Sequence, residues 1–70
     1  MLKENIIKSI RIELSISQEQ MARDLNISFS TINRWENDRT SPSKLAKIRL
    51  YEYCILKNVS QEVIEGLSKL

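Results

Sequence analysis

The chain has 70 residues, 41% of them hydrophobic, with 11 basic and 9 acidic side chains and a formal net charge of +2. That length fits one domain with a single small core, and one Gly and one Pro leave no composition for long flexible linkers. One Cys and no His exclude an internal disulfide and argue against a zinc or other soft-metal site. Charges interrupt the apolar residues of the N-terminal MLKENIIKSIRIEL, so it has no signal-peptide core, and no uncharged run approaches the length of a bilayer span. With a lone Cys54, the expected setting is the reducing cytoplasm, with no membrane partner.

Residues 3 to 14 read as a first helix, with Ile6, Ile10 and Leu14 repeating one turn apart and Ile7 joining their face. Arg11 falls on the edge of that stripe, where a charge needs a partner. Ser15 and Ile16 are a short connector. Ser17 then caps a second helix over 18 to 25, and Gln20 three residues on completes a capping box. Met21, Ala22 and Leu25 form its inner face, while Glu19 and Arg23 are spaced for an ion pair on the outer one. Asn26 ends it, because Asn tolerates the left-handed backbone that follows helix C-termini.

Ser28 caps a third helix over 29 to 36, with Ile32 and Trp35 inward; Ile16 and Ile27 stand where hydrophobic staples close on Met21 and Ile32. Two short helices joined by a tight turn make the shape that carries a second helix into a DNA major groove. Asn37 to Thr40 is a polar turn. Ser41 and Pro42 then start a fourth helix over 42 to 57, Ser as the cap and Pro at the first helical position, and Asn58 can end it. Leu45, Ile48, Tyr51 and Ile55 make one apolar face of that helix, but Leu50, Tyr53, Cys54 and Leu56 add others, so periodicity does not choose the buried side. Ser60 caps a fifth helix over 60 to 69, with Val63, Ile64, Leu67 and Leu70 on its inner side. The expected architecture is an all-α, five-helix bundle in one domain over residues 1–70.

The charge distribution says more than its sum. Residues 33 to 50 hold Arg34, Arg39, Lys44, Lys47 and Arg49 against Glu36 and Asp38, while the remaining residues carry six basic and seven acidic side chains. The positive excess lies beside and after the third helix, where a phosphate-facing surface would need it. Lys44 and Lys47 are candidates to extend such contacts, whereas Arg49 reads as an ordinary solvated helix residue.

The segment LSISQEQMARDLNISFSTINRWENDRTSPS resembles the phage-repressor (lambda Cro/CI-type, XRE) helix-turn-helix family over roughly residues 11 to 43. Polar and apolar positions agree together with that family's pattern, and only Asn26 and Asp38 depart from it, standing where the family usually has Gly. Both residue types can adopt positive φ at modest cost. The resemblance implies a five-helix lambda-repressor-like fold and a set of roles. Phe29, Ser30, Asn33 and Arg34 match positions that face base edges. Gln18 matches a Gln that holds a DNA phosphate and can brace a base contact. Asn37, Arg39 and Thr40 match residues that meet the DNA backbone, with Lys44 beside them. Arg11 and Glu36 match a partly buried ion pair tying the first helix to the end of the third.

Residue chemistry supports part of this. Arg can grip guanine O6 and N7, and Asn can grip adenine N6 and N7. Phe29 suits either thymine methyls or the neighbouring helix. Trp35 is spaced with Ile32 and reads as core, as does Cys54, which has no base beside it to make it a nucleophile. No pair of carboxylates is placed for acid–base work. The expectation is therefore a non-enzymatic, cofactor-free, sequence-specific double-stranded DNA-binding regulator, a repressor, working as a homodimer through its C-terminal helices. The alternatives are an antitoxin-like module that also binds a protein partner, or the DNA-binding domain of a longer protein.

Overall fold

The structure, a computed structural model, describes residues 5–70. Five helices follow one another: α1 (Ile6–Glu13), α2 (Gln18–Leu25), α3 (Phe29–Glu36), α4 (Lys44–Leu56) and α5 (Gln61–Ser68). No strand occurs among the described residues. Residues 3 and 4 of the expected first helix lie outside them, and the helix begins at Ile6 because Asn5 caps it, its side chain accepting from the N–H groups of Ile7 and Lys8. Side-chain caps at Ser17, Ser28 and Ser60 start α2, α3 and α5, each hydroxyl accepting from the N–H three residues on.

The start of α4 differs from the expectation. Ser43, rather than Ser41, is the cap, accepting from Ala46 N–H at 3.2 Å. Pro42 precedes the helix and is buried, so its ring serves packing, not the first helical turn. Two side-chain expectations also fail. Gln20 does not return to the backbone of Ser17; its Nε2 instead donates to Asp24 Oδ1 at 2.7 Å, a charge-assisted bond that turns the amide toward the next turn of the helix. Glu19 and Arg23 form no ion pair, which fits the small gain available to two exposed, flexible side chains.

Four helices end alike. The N–H groups of Ile16, Ile27, Arg39 and Val59 reach back to the carbonyls of Arg11, Ala22, Arg34 and Cys54 at 2.9–3.1 Å. The residue before each is left-handed: Ser15, Asn26, Asp38 and Asn58 have φ between 56° and 58°. This is the Schellman closure, usually built on Gly. Asn and Asp occupy it at modest cost; Ser15 lacks that tolerance and carries more strain.

The core gathers Ile7 and Ile10 of α1, Met21, Ala22 and Leu25 of α2, Ile32 and Trp35 of α3, Leu50, Tyr53 and Cys54 of α4, then Val59 and Leu67. Helix α1 packs on α3 and α5, α2 on α3 and α4, and α4 on α5. Ile16 and Ile27, at the two helix entries, pack against the same cluster. The sole Gly of the chain, Gly66, lies where a Cβ would come within 2.6 Å of Ile6 Cδ1, which lets α1 and α5 approach closely. Glu13 joins the same two helices by accepting from the Ser60 N–H and hydroxyl at 2.6 and 2.8 Å.

Helix α4 resolves the ambiguity of its sequence. Leu50, Tyr53 and Cys54 turn inward, while Leu45, Ile48, Ile55 and Leu56 stay exposed. Tyr51 is half-buried. On α5, Leu67 is fully buried and Leu70 exposed. The unburied apolar surface therefore belongs mainly to α4.

Candidate nucleic-acid interface

Helix α3 is amphipathic in the strict sense. Its inner residues Ile32 and Trp35 pack into the core, and the outer ones, Phe29, Ser30, Asn33 and Arg34, recur along one face. Phe29, Ser30 and Arg34 are exposed and Asn33 is half-buried. Arg34 makes no ion pair or side-chain hydrogen bond among the described residues, so its guanidinium is available to a ligand. Ser30 Oγ lies 3.2 Å from Ser28 Oγ, within the cap of the helix. Phe29 borders an open hollow with Glu19, Ala22, Arg23 and Ile27 on α2 and the turn, its ring about half exposed at 49%.

Helix α2 supports this face. Gln18, in its first turn, accepts at Oε1 from Asn33 Nδ2 at 3.3 Å. Asn37 Nδ2 donates to the Asn33 backbone carbonyl at 2.8 Å and to Asn33 Oδ1 at 3.1 Å. Gln18, Asn33 and Asn37 thus form one connected row of amides. Arg39 and Thr40 lie exposed in the turn after α3, and Lys44 is exposed in the first turn of α4. Lys47 is directed elsewhere, its Nζ donating to the Leu70 carbonyl at 2.6 Å.

The frame behind the face is held at three places. Arg11 grips Glu36 in a two-pronged contact, Nε to Oε2 at 2.8 Å and Nη2 to Oε1 at 3.0 Å, and its Nη1 donates to the Ile16 carbonyl at 3.1 Å. The Glu36 side chain is only 4% exposed, and the bond to it raises the pKa of Arg11. Asn5 Nδ2 donates to the Trp35 carbonyl at 2.8 Å and to Asp38 Oδ1 at 3.0 Å, tying the start of α1 to the end of α3. Arg49 Nη2 donates to the Leu25 carbonyl at 2.7 Å, closing the C-terminus of α2 from α4. Arg49 is thus part of the frame and not merely solvated.

Tyr53 adds a fourth tie, its hydroxyl donating to Asp24 Oδ2 at 2.8 Å. That bond lowers the pKa of Asp24, while burial and then the Asp24 contact push that of Tyr53 up. Cys54 is fully buried and burial pushes its thiol up to about 11, so it is a core residue without thiolate character. Among the described residues, no group of Cys, Asp and Glu side chains is placed to hold a metal ion, and no helix is long and apolar enough to cross a membrane.

Sequence reasoning missed Asn5, Arg49, and the Asp24–Tyr53 and Glu13–Ser60 contacts. Asn5 had a usable signal, a capping residue type directly before the Ile6–Ile7 pair. The others join residues far apart in the chain and have none.

The sequence of residues 7–48 matches the helix-turn-helix family model. The chain belongs to the phage-repressor (XRE-type) helix-turn-helix family. The match covers α1 to α3 and the first part of α4, which contain the amide row and the Arg11–Glu36 pair. The helix-turn-helix itself is α2 and α3 with the turn at Asn26. This protein is accordingly a DNA-binding regulator of the XRE kind. Neither the curated proteins nor the solved structures give a match.

Proposed function

We propose that the protein is a sequence-specific double-stranded DNA-binding repressor that sets α3 in the major groove. The observation that carries this reading is the exposed face of α3, where Phe29, Ser30, Asn33 and Arg34 stand outward while Ile32 and Trp35 anchor the helix in the core. Arg34 supplies the fork that guanine O6 and N7 accept, and Asn33 the amide that adenine matches. Gln18, Arg39, Thr40 and Lys44 flank that face and supply donors for phosphate oxygens, which set register without reading sequence. Repression needs only occupancy of an operator, whereas activation needs a further surface for the transcription machinery.

The exposed stripe of Leu45, Ile48, Ile55 and Leu56 on α4 favours a homodimer through the C-terminal region. Two-fold pairing would set two recognition helices about 34 Å apart on one DNA face. The same stripe would also serve an antitoxin-like module covering another protein. Sedimentation at several concentrations, with and without duplex, tests the dimer, which a strict 1:1 complex on every selected site rules out, and a pull-down with the C-terminal helices intact tests for a protein partner.

Selection of bound duplexes from a random pool tests the main reading. A defined site should emerge, and Arg34→Ala should cost about 1–3 kcal/mol on it and relax preference at one position. An unchanged specific-to-nonspecific ratio would remove Arg34 from base reading.

A further inference from the structure

The amide row across α2 and α3 has a direction, and one atom sets it. The backbone carbonyl of Asn33 can only accept, so the Asn37 side-chain atom 2.8 Å from it must be the nitrogen. The Asn33 amide atom 3.1 Å from that same nitrogen must then be oxygen, because two amino groups would oppose each other. The Asn33 nitrogen is thereby turned toward Gln18, which must present its own oxygen at 3.3 Å. Each amide orientation follows from the one before it.

Two consequences reach the DNA-facing surface. Gln18 is left with its amino group as the outer end of the row, and two N–H donors suit phosphate oxygens, which only accept. Asn33 keeps one unused N–H and one unused lone pair, in an order it cannot reverse while Asn37 holds it. That ordered pair complements the N7 acceptor and N6 amino donor of adenine. Asn37 itself is ill-suited to phosphate, since its nitrogen already donates twice to Asn33 and its remaining atom is an acceptor.

We propose that Asn37 is a positioning residue that locks the Asn33 amide in the orientation that reads adenine at one base pair of the operator. This rests on the reading that α3 enters the major groove. A loose amide could turn over and match the reversed donor–acceptor order, so the lock gives the discrimination and not the affinity as such. Asn37 is exposed and caps α3 with an ordinary backbone (φ −99°), so its truncation leaves the fold intact.

The test measures binding of wild type, Asn33→Ala, Asn37→Ala and Asn37→Asp to the selected duplex and to its single base-pair variants, over a range of salt. Asn33→Ala identifies the base pair that Asn33 reads. Both Asn37 variants should flatten the preference at that same pair by roughly tenfold, leaving preferences elsewhere unchanged. Ratios at one pair cancel the uniform effect of the added charge in Asn37→Asp. Asn37→Ala should also leave the salt slope as in wild type.

A uniform loss of affinity with the salt slope reduced by about one would make Asn37 a phosphate contact and overturn the inference. Unchanged preference at the Asn33 pair in both variants overturns it too, as does a wild-type preference insensitive to Asn33→Ala. A wild type without any sequence preference sinks the major-groove reading itself, and that result is visible before any variant is made.

Discussion

Removing Arg11 should cost more than removing its partner. In Arg11→Met, Glu36 keeps a side chain that is 4% exposed but loses both donors that hold it, at 2.8 and 3.0 Å. An uncompensated carboxylate in such a place costs about 3–5 kcal/mol. A chain of 70 residues has roughly 4–10 kcal/mol of total stability, so this one change should bring it close to unfolding. Glu36→Leu should cost less, about 2 kcal/mol, because Arg11 is 19% exposed and still donates to the Ile16 carbonyl. The double variant places two apolar side chains of similar size together and should return to within about 1 kcal/mol of wild type. Urea unfolding followed by helical circular dichroism and by Trp35 fluorescence measures all four proteins. A coupling of at least about 4 kcal/mol is expected from the cycle, since the two single losses far exceed the loss left in the double variant. Additive losses would mean that the contact does not carry the stability assigned to it, and equal single losses would refute the burial argument.

Tyr53→Phe should cost about 1 kcal/mol near neutral pH, the worth of a hydrogen bond to an accessible carboxylate. The pKa of Asp24 is lowered by that bond, so its contribution is present above the ordinary carboxyl range and is lost as pH falls through the folded-state value. The pKa of Tyr53 is raised, so its contribution is present below about 10 and fades above it. The difference between the two proteins should thus be flat from about pH 5 to 9 and shrink on both sides, and a pH-independent difference would count against the Asp24–Tyr53 bond. Ser15→Gly should stabilise the fold by about 0.5–1 kcal/mol, since it relieves the left-handed strain at φ 56° and removes no hydrogen bond found among the described residues. Asn26→Gly should gain less, and thermal unfolding that reverses this order would contradict the strain assigned to Ser15. Arg39→Ala should weaken binding to every duplex and lower the salt slope by about one, whereas a loss confined to one base pair would move Arg39 from phosphate contact to base reading.

The helices were legible where residue chemistry is local. Ser17, Ser28 and Ser60 cap the helices that their positions announced, because a cap acts within one turn of itself. Asn26 and Asp38 take the left-handed conformation that their short polar side chains allow, and Asn58 does the same after α4. Ser15 does so as well, but nothing in a serine marks it. Ser41–Pro42 misled because it satisfies the same capping rule as Ser43, and only packing shows that Pro42 is buried ahead of the helix. In α4 the residues are apolar on nearly every side, so periodicity could not place Leu50, Tyr53 and Cys54 inward and Leu45, Ile48, Ile55 and Leu56 outward. The outer face of α3 was legible from the pattern and the family resemblance together. The direction of the amide row was not, since it depends on one backbone carbonyl and on two distances across α2 and α3.

The placement of α3 in the major groove is tested most directly by interference with the groove itself. Each purine of the selected duplex is replaced in turn by its 7-deaza form, which deletes the N7 acceptor and leaves the minor groove and base pairing untouched. Binding should fall by roughly tenfold at a few purines, those facing Asn33 and Arg34, and the penalty at one of them should vanish in Arg34→Ala. Binding indifferent to every 7-deaza substitution but sensitive to minor-groove changes would contradict the placement of α3.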